Sequence, residues 1–403
     1  MNHAISASES LTPPPTVAHW GGVAALSMCV AMLIAAEFMP VSLLTPIARD
    51  LGATEGQAGL AISISGLFAV LASLLIARLS ARLDRRHVLI GLTLLMLLSL
   101  CLIAISPSFW LLMVSRALLG IVIGGFWALA TATAMRLVDS ASVPKALGLM
   151  YMGNAMATAF AAPLGSYLGG IIGWRGVFWL LTPAVLVNIF WLWRGLPSMP
   201  AQPAKTTSSI WGLLQRRHVL FAMLGVMLTF AGAFAAFTYL RPFLEMRSHV
   251  SVPQLSALLL GLGLAGFVGT PMASAALGLH LYRLLRWLPL ALAGVTLTLL
   301  LVEQQLWGVA IVMTLWGAIN AAIPVGWSAW IADGIRDAPE SGGGLMVASI
   351  QLAIMLGAAL GGILLDLISV EATFVASALL LITATLIIGN GTRLRPTSLI
   401  TQE

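Results

Sequence analysis

Long apolar runs follow one another along almost the whole chain, separated by short polar breaks. Each run has roughly the twenty residues that a helix needs to cross a bilayer. The pattern therefore predicts an all-α polytopic membrane protein with about twelve transmembrane helices. We place these helices at residues 20–46, 56–77, 88–106, 109–135, 146–172, 176–194, 218–240, 253–278, 287–303, 306–331, 342–366 and 371–391.

The longest polar break lies near the middle of the chain. Residues 196–215 are rich in Pro, Ser and Thr, which is typical of a linker. This break separates two groups of six runs, and two equivalent halves around a midplane site are common in secondary transporters. We expect pseudosymmetric six-helix bundles at residues 20–195 and 218–391. A cytoplasmic linker at 196–217 would join them, with cytoplasmic tails at 1–19 and 392–403.

Composition and charge support a membrane location. The chain is 60% hydrophobic and 8% charged, whereas soluble proteins carry about 25% charged residues. With the N-terminus in the cytoplasm, roughly fifteen Lys and Arg residues fall inside and four outside, which is the positive-inside bias. The basic residues therefore predict topology rather than nucleic-acid binding, and they place both termini in the cytoplasm. Cys29 and Cys101 lie in apolar runs and have no metal-like spacing.

One carboxylate lies deep in the first apolar run. Glu37 costs at least about 3 kcal/mol at such a depth, and residues of this kind usually mark an ion or substrate path. The alternative is a helix-end position from which the side chain reaches the interface. Arg49 and Asp50 mark the membrane boundary about a dozen residues later, which places Glu37 up to ~18 Å below it. We therefore favour a functional role.

A second deep charge lies in the fourth run. Arg116 is about seven residues inside that run, or ~10 Å deep. A carboxylate that alternates between a paired state and a dry state could bind and release a proton in each cycle. Glu37 and Arg116 are therefore predicted to couple protons, and a static ion pair that only fixes helix packing is the alternative.

Four segments resemble motifs of the major facilitator superfamily, in its drug:proton antiporter branch. They are Glu37-Phe38-Met39-Pro40 followed by Thr45-Pro46, the basic loop 77–86, Arg116 with Gly120 and Gly124, and Ala162-Pro163-Leu164-Gly165. The basic loop departs from the family pattern, because Ala77, Ala81 and Asp84 stand where the family has glycine, an acid and glycine. Asp84 could serve as the acid of the gate, displaced by three residues.

The resemblance implies a cavity lined by the first, fourth, seventh and tenth helices, flanked by the second, fifth, eighth and eleventh. Aromatic and amide side chains there would bind substrate, although each aromatic could instead face lipid. The predicted substrate-binding residues are Trp127, Tyr151, Asn154, Phe234, Tyr239, Trp316, Asn320, Trp327 and Gln351. The predicted gating residues are Arg82, Asp84, Arg85, Arg86, Pro163 and Gly165.

Shorter strings, such as EFMPVSLLTP and PVGWSAWI, are similar to those of bacterial exporters of purine ribonucleosides. The resemblance implies a monomeric, proton-coupled antiporter in the bacterial inner membrane, with a purine nucleoside as substrate and no nucleic-acid partner. Sugar or multidrug efflux by the same fold is the alternative. The sequence contains no P-loop, metal cluster or paired catalytic acids, so we expect neither a cofactor nor an enzyme.

Overall fold

The computed structural model describes residues 19–79, 82–139, 142–200, 210–335 and 337–395, and within these ranges it is helical and free of strands. Most of the predicted tails and residues 201–209 of the predicted linker lie outside the described residues. The helices are α1 Trp20–Ser42, α2 Leu44–Leu51, α3 Glu55–Leu79, α4 Arg85–Ala104, α5 Phe109–Arg136, α6 Val143–Gly195, α7 Ile210–Leu214, α8 Arg217–Thr238, α9 Leu240–Arg247, α10 Val252–Val302, α11 Leu306–Gly334, α12 Pro339–Leu367 and α13 Val370–Ile388, followed by a 3-10 turn at Thr392–Leu394.

Eleven segments of the described chain are long and apolar enough to cross a membrane. One of them, Lys145–Gly195, has 51 residues, which at 1.5 Å per residue is more than twice the thickness of a bilayer core. It contains Gly173 at φ 73° and ψ 161°, a conformation that breaks the helix. Counting two crossings in this segment gives the twelve crossings that the apolar runs predict.

The long segments α6 and α10 each contain two membrane crossings that fold back on each other as a helical hairpin. Glu303, which follows α10, pairs with Arg247, which precedes it, at 2.6 Å. The two ends of α10 therefore lie at the same membrane face, and the chain reverses between its two spanning segments, Val252–Ala276 and Leu281–Leu301. In α6, Gly153 packs on Ser27 and Gly195 packs on Gly22, so both ends of α6 lie beside the beginning of α1.

The first helix of each half is interrupted in the same way. Helix α1 stops at Ser42 rather than at residue 46 as predicted, and α2 follows after Leu43; likewise α8 stops at Thr238 and α9 follows after Tyr239. In each case a proline lies four residues beyond the last helical residue, Pro46 and Pro242. Proline has no N–H, so it cannot bond the carbonyl four residues earlier, and the helix breaks. The repeat is consistent with two related halves.

The buried hydrophobic core also divides between the two halves of the chain. The largest buried hydrophobic cluster contains only residues between 23 and 199. A second cluster contains residues from 213 to 394, with Val41 and Ile62 as its buried members from the first half. We name residues 20–199 the first bundle and residues 210–395 the second bundle.

The molecule has two ends, which we name by the segments they hold. The terminal face holds the beginning of α1 at Trp20 and the end of α13 at Ile388. The distal face holds α2 and α9. The bundles pack closely in the distal half, where a Cβ on Gly56 would lie 2.4 Å from Gly362 O and one on Gly263 would lie 2.3 Å from Ala159 O.

The same helices separate towards the terminal face. On α6, Ala159 is 2% exposed, whereas Met152, two turns closer to the terminal face, is 54% exposed. On α10, Leu259 is 2% exposed and Phe267, two turns further on, is 44% exposed. The interface between the bundles is therefore closed at the distal face and splayed at the terminal face.

Candidate functional site

The two deep charges lie side by side but do not form a direct ion pair. Glu37 is 7% exposed and Arg116 is fully buried. Arg116 donates from Nη1 to the carbonyl of Ala36 at 2.9 Å and from Nε to the carbonyl of Ala61 at 3.0 Å. These bonds tie α5 to both α1 and α3. Arg116 Nη2 is buried with no hydrogen-bond partner among the described residues, so the guanidinium acts on Glu37 through its field.

Glu37 faces the opposite bundle. The side chain of Gln351, from α12, lies near the Glu37 carboxyl group and interacts with it electrostatically. Gln351 is 6% exposed, and its backbone lies against Gly66 of α3, where an added Cβ would be 2.9 Å from Gln351 O. The contact therefore joins a titratable group of the first bundle to an amide of the second, at the middle of the interface.

An aromatic cluster lies directly beside this contact. Phe38, next to Glu37, packs against Phe234 and Phe237 of α8 at ring-centroid distances of 5.9 and 5.8 Å. Phe237 in turn stacks on Trp316 of α11 at 6.0 Å and 9°. The sequence predicted Phe234 and Trp316 but not Phe38 or Phe237. The signal for Phe38 was its place beside Glu37, and the signal for Phe237 was helical spacing from Phe234.

The remaining predicted binding residues divide between the open part of the interface and the packed core. Trp127 of α5 stacks on Tyr151 of α6 at 5.9 Å and 23°, and Tyr151 is 46% exposed. This pair lies in the splayed terminal half, away from Glu37. Asn154 and Asn320 are half-buried.

Two predicted binding residues are placed in packing contacts instead. Tyr239 is fully buried, donates its hydroxyl to Ala358 O at 2.7 Å and packs against Gly59 of the first bundle. Trp327 is 1% exposed and packs edge-on against Trp330 inside the second bundle. In this conformation the structure does not bring either ring to the Glu37 site.

The predicted gating loop docks onto its own bundle. Asp84 caps α4 by accepting from the Arg86 N–H at 2.8 Å, and it also accepts from Ser198 Oγ at 2.6 Å and from the Met199 N–H. Burial is the largest single cause and raises the pKa of Asp84, but the three hydrogen bonds together outweigh it and hold the pKa below its ordinary value. Arg86 donates to Trp193 O, and the Arg85 N–H donates to Met199 O.

The other predicted gating residues lie elsewhere. Arg82 is exposed at the terminal face, and Ser80 and Ala81 of the same loop lie outside the described residues. Pro163 is buried inside α6. A Cβ on Gly165 would lie 2.6 Å from Ser42 Oγ, so the absence of a side chain allows α6 to approach the end of α1.

Two helical bundles with a buried carboxylate, Glu37, at the interface between them are typical of a membrane transporter. The chain belongs to the Major Facilitator Superfamily, whose family profile matches residues 25–340. This membership confirms the predicted fold and points to a transporter rather than an enzyme.

Two curated relatives match almost the whole chain. The Transcription regulatory protein OpdE of Pseudomonas aeruginosa is 46% identical over 92% of this chain and 93% of its own length. The Purine ribonucleoside efflux pump NepI of Salmonella enteritidis is 40% identical over 94% of this chain and 96% of its own length. Among solved structures, a POT family transporter in complex with 5-aminolevulinic acid has a TM-score of 0.77 at 13% identity and covers 92% of this chain and 95% of its own.

Proposed function

We propose that the chain is a proton-coupled exporter of purine ribonucleosides that works by alternating access. The observation that carries the proposal is the burial of the Glu37 carboxyl group beside Gln351 of the other bundle, because it places a titratable group between the two bundles. The name of the Salmonella relative supports both the direction of transport and the substrate class. Sugar or multidrug efflux by the same fold is the competing assignment.

The proposed orientation places the terminal face in the cytoplasm. Arg85, Arg136 and Arg217 lie at that face, at helix ends where the positive-inside rule puts basic residues in the cytoplasm. The described structure would then be the inward-open state, in which substrate enters from the cytoplasm. We propose the bacterial inner membrane as the location and a monomer as the working unit, as the family resemblance implies.

The proposed coupling uses the cost of a buried charge. A deprotonated Glu37 is held by the field of Arg116 and by the amide of Gln351. A protonated Glu37 is neutral and can pass through an occluded state without the cost of desolvating a carboxylate. In an exporter the proton would be loaded from outside and released inside, while the substrate moves outward.

The proposed substrate contacts follow from the aromatic cluster. A purine base offers a flat face for Phe38, Phe237 or Trp316, and the ribose hydroxyls offer partners for Gln351 or Asn320. Trp127 and Tyr151, which lie nearer the terminal face, would contact the base during entry. A substrate that takes the Gln351 amide would also release it from Glu37, which would link substrate binding to protonation.

The test is pH-gradient-driven efflux in proteoliposomes. Glu37→Gln keeps the shape of the side chain but cannot titrate, so we expect it to bind inosine yet lose uphill transport. Glu303→Gln serves as the matched control, because Glu303 is a carboxylate of the distal face that pairs within the second bundle. Full uphill transport by Glu37→Gln would remove Glu37 as the coupling group.

A panel of substrates tests the other half of the proposal. Wild-type vesicles should transport inosine and guanosine in preference to pentoses and lipophilic cations. Cells that express the protein should resist toxic purine analogues. Transport of sugars or lipophilic cations alone would contradict the nucleoside assignment, and the family membership would still hold.

The Pseudomonas relative raises a second candidate function, because its name describes transcription regulation. Nearly all of the described residues belong to membrane-spanning helices, and these residues include no extramembrane domain that could bind DNA. A regulatory effect of this chain would therefore follow from transport. Measurement of transcript levels in cells that express wild type or Glu37→Gln would separate the two, since a transport-independent regulator would act equally well in both.

A further inference from the structure

The distal face is held closed by contacts that the coupling site does not explain. Two charged side chains of the second bundle, Arg241 and Asp366, each reach across the interface to a backbone group of the first bundle. Both backbone groups lie at helix ends. This pairing of charges with helix ends rests on hydrogen bonds that are independent of Glu37 and of the aromatic cluster.

Arg241 caps the end of α1. Its guanidinium donates from Nη1 to the carbonyl of Ser42, the last residue of that helix. Pro46, four residues later, has no N–H to offer this carbonyl, so Ser42 O would otherwise lack a helical partner. A cation is also favoured at a helix C-terminus by the helix dipole.

The guanidinium is built into the interface. The Arg241 side chain is 8% exposed, and its Nη2 lies 2.8 Å from Glu245 Oε1, four residues along on α9. Glu55, in the first turn of α3, lies within electrostatic range of both residues. Arg241 is therefore fixed on its own helix and positioned towards the first bundle.

Asp366 caps the start of α3. Its Oδ1 accepts from the Gly56 N–H at 3.1 Å and its Oδ2 accepts from Thr54 Oγ1 at 2.5 Å. Thr54 and Gln57 already form a reciprocal cap at this helix start, in which Thr54 N–H bonds Gln57 Oε1 and Gln57 N–H bonds Thr54 Oγ1, each at 3.0 Å. Asp366 supplies the next N–H with a partner from the other bundle, and an anion is favoured at a helix N-terminus.

We propose that Arg241 and Asp366 form a distal latch, which must release both the end of α1 and the start of α3 before the distal face opens. Each charge is opposite in sign to the partial charge of the helix end that it contacts. Each contact also joins one bundle to the other. The latch rests on the proposed alternating access and identifies the residues that set the balance between its two states.

Thiol labelling of a single cysteine tests the latch without any transport. Ala58 is 2% exposed and packs in the same buried cluster as Tyr239 of the second bundle. In a background with Cys29→Ala and Cys101→Ala, Ala58→Cys should react with a polar maleimide only when the distal face opens. We expect Arg241→Gln with Asp366→Asn to raise the labelling rate by about tenfold, since each removes charge-assisted hydrogen bonds.

The matched controls are Arg247→Gln and Glu303→Gln. These residues form an ion pair on the same face, but both belong to the second bundle, so labelling should stay at the rate of the parent. Asp366→Asn alone should give a smaller rise than the double variant because Asp366 is exposed. Arg241→Lys keeps the charge but loses the planar fork, and it should label at an intermediate rate.

The outcomes separate the latch from the proposed function. Wild-type labelling in a double variant that melts at the temperature of the parent would overturn the latch, whatever the flux. If Arg241→Gln does not fold, then parental labelling in both Asp366→Asn and Arg241→Lys would overturn it equally. Raised labelling combined with no nucleoside flux in the parent would support the latch and contradict the proposed substrate.

Discussion

The distal and terminal halves of the interface between the bundles are built from the same helices but are packed by different residues. At the distal end α3, α6, α10 and α12 meet through glycine, alanine and charge-to-helix-end contacts. At the terminal end α3, α6 and α10 present large apolar side chains such as Leu74, Met156 and Met272, which are 43–67% exposed. Small residues allow helix backbones to approach closely, whereas large ones leave an opening when their partner is absent. The difference shows which end is closed in this state.

A side chain forced into the distal contact should have the largest effect. Gly263 lies so close to α6 that a Cβ would be 2.3 Å from Ala159 O. We expect Gly263→Leu to prevent distal closure and to reduce substrate flux by at least an order of magnitude, because the clash is with backbone that cannot move aside. Flux in proteoliposomes is the measurement.

The control for Gly263→Leu lies on the same helix. Gly294 of α10 has no atom within 4 Å of an added Cβ, so Gly294→Leu should transport at close to the wild-type rate. Thermal melting would establish that Gly263→Leu is folded. Normal flux in a folded Gly263→Leu protein would mean that close contact of α6 and α10 is not needed for the cycle.

Loss of one aromatic ring from the central cluster should have an intermediate effect. Phe38 lies in the aromatic cluster with Phe234 and Phe237 of the other bundle, and the proposed pairing of its ring with a purine base would contribute about 0.5–1.5 kcal/mol beyond area burial. We expect Phe38→Leu to weaken inosine binding by roughly tenfold. Phe190→Leu is the comparison, since that ring packs on Trp193 on the outside of the first bundle. Equal affinities in the two variants would exclude Phe38 from the binding site.

A smaller effect is expected at the terminal face, where Asp84 holds the start of α4. The folded pKa of this carboxyl lies below its ordinary value of 3.8, so its stabilisation is complete above that value and is lost as the pH falls through the folded pKa. The melting-temperature difference between wild type and Asp84→Asn should therefore be constant above about pH 5 and shrink below about pH 4. A difference that does not change with pH would contradict the assignment of these hydrogen bonds to the ionised form.

The features that could be predicted from the sequence are those that depend on the local pattern of residues. The apolar runs predicted the membrane crossings, and Glu37 and Arg116 were recognised because they are isolated charges within apolar runs. Charge isolation could not show that Arg116 would bind two backbone carbonyls, because that depends on how α1, α3 and α5 meet. The break at Leu43 was present in the sequence as Pro46, but an uninterrupted apolar run concealed it.

The same limit explains why two of the predicted binding residues lie in packing contacts in this state. Tyr239 and Trp327 are aromatics at plausible depths, yet their direction depends on helix rotation, which neither composition nor hydropathy specifies. Arg241 and Asp366 were passed over because they lie at span ends, where charges are ordinary. Only contact between the bundles distinguishes them from other interfacial charges.

The smallest effect should come from the exposed side of the comparison. Met152 is 54% exposed in the terminal half of α6, and it lies two turns from the closely packed Ala159 on the same face. If the terminal half is open in this state, Met152→Trp should fold with a melting temperature close to that of wild type, since exposed substitutions usually change stability by no more than about 0.5 kcal/mol.

In the opposite state of the cycle, however, the residue at position 152 would have to pack against the other bundle. The larger ring should then favour the state with the terminal face open, which lowers the rate of Ala58→Cys labelling below that of the parent. A normal melting temperature with slower labelling would support the exchange of the two ends, whereas an unchanged labelling rate would mean that Met152 faces lipid in both states.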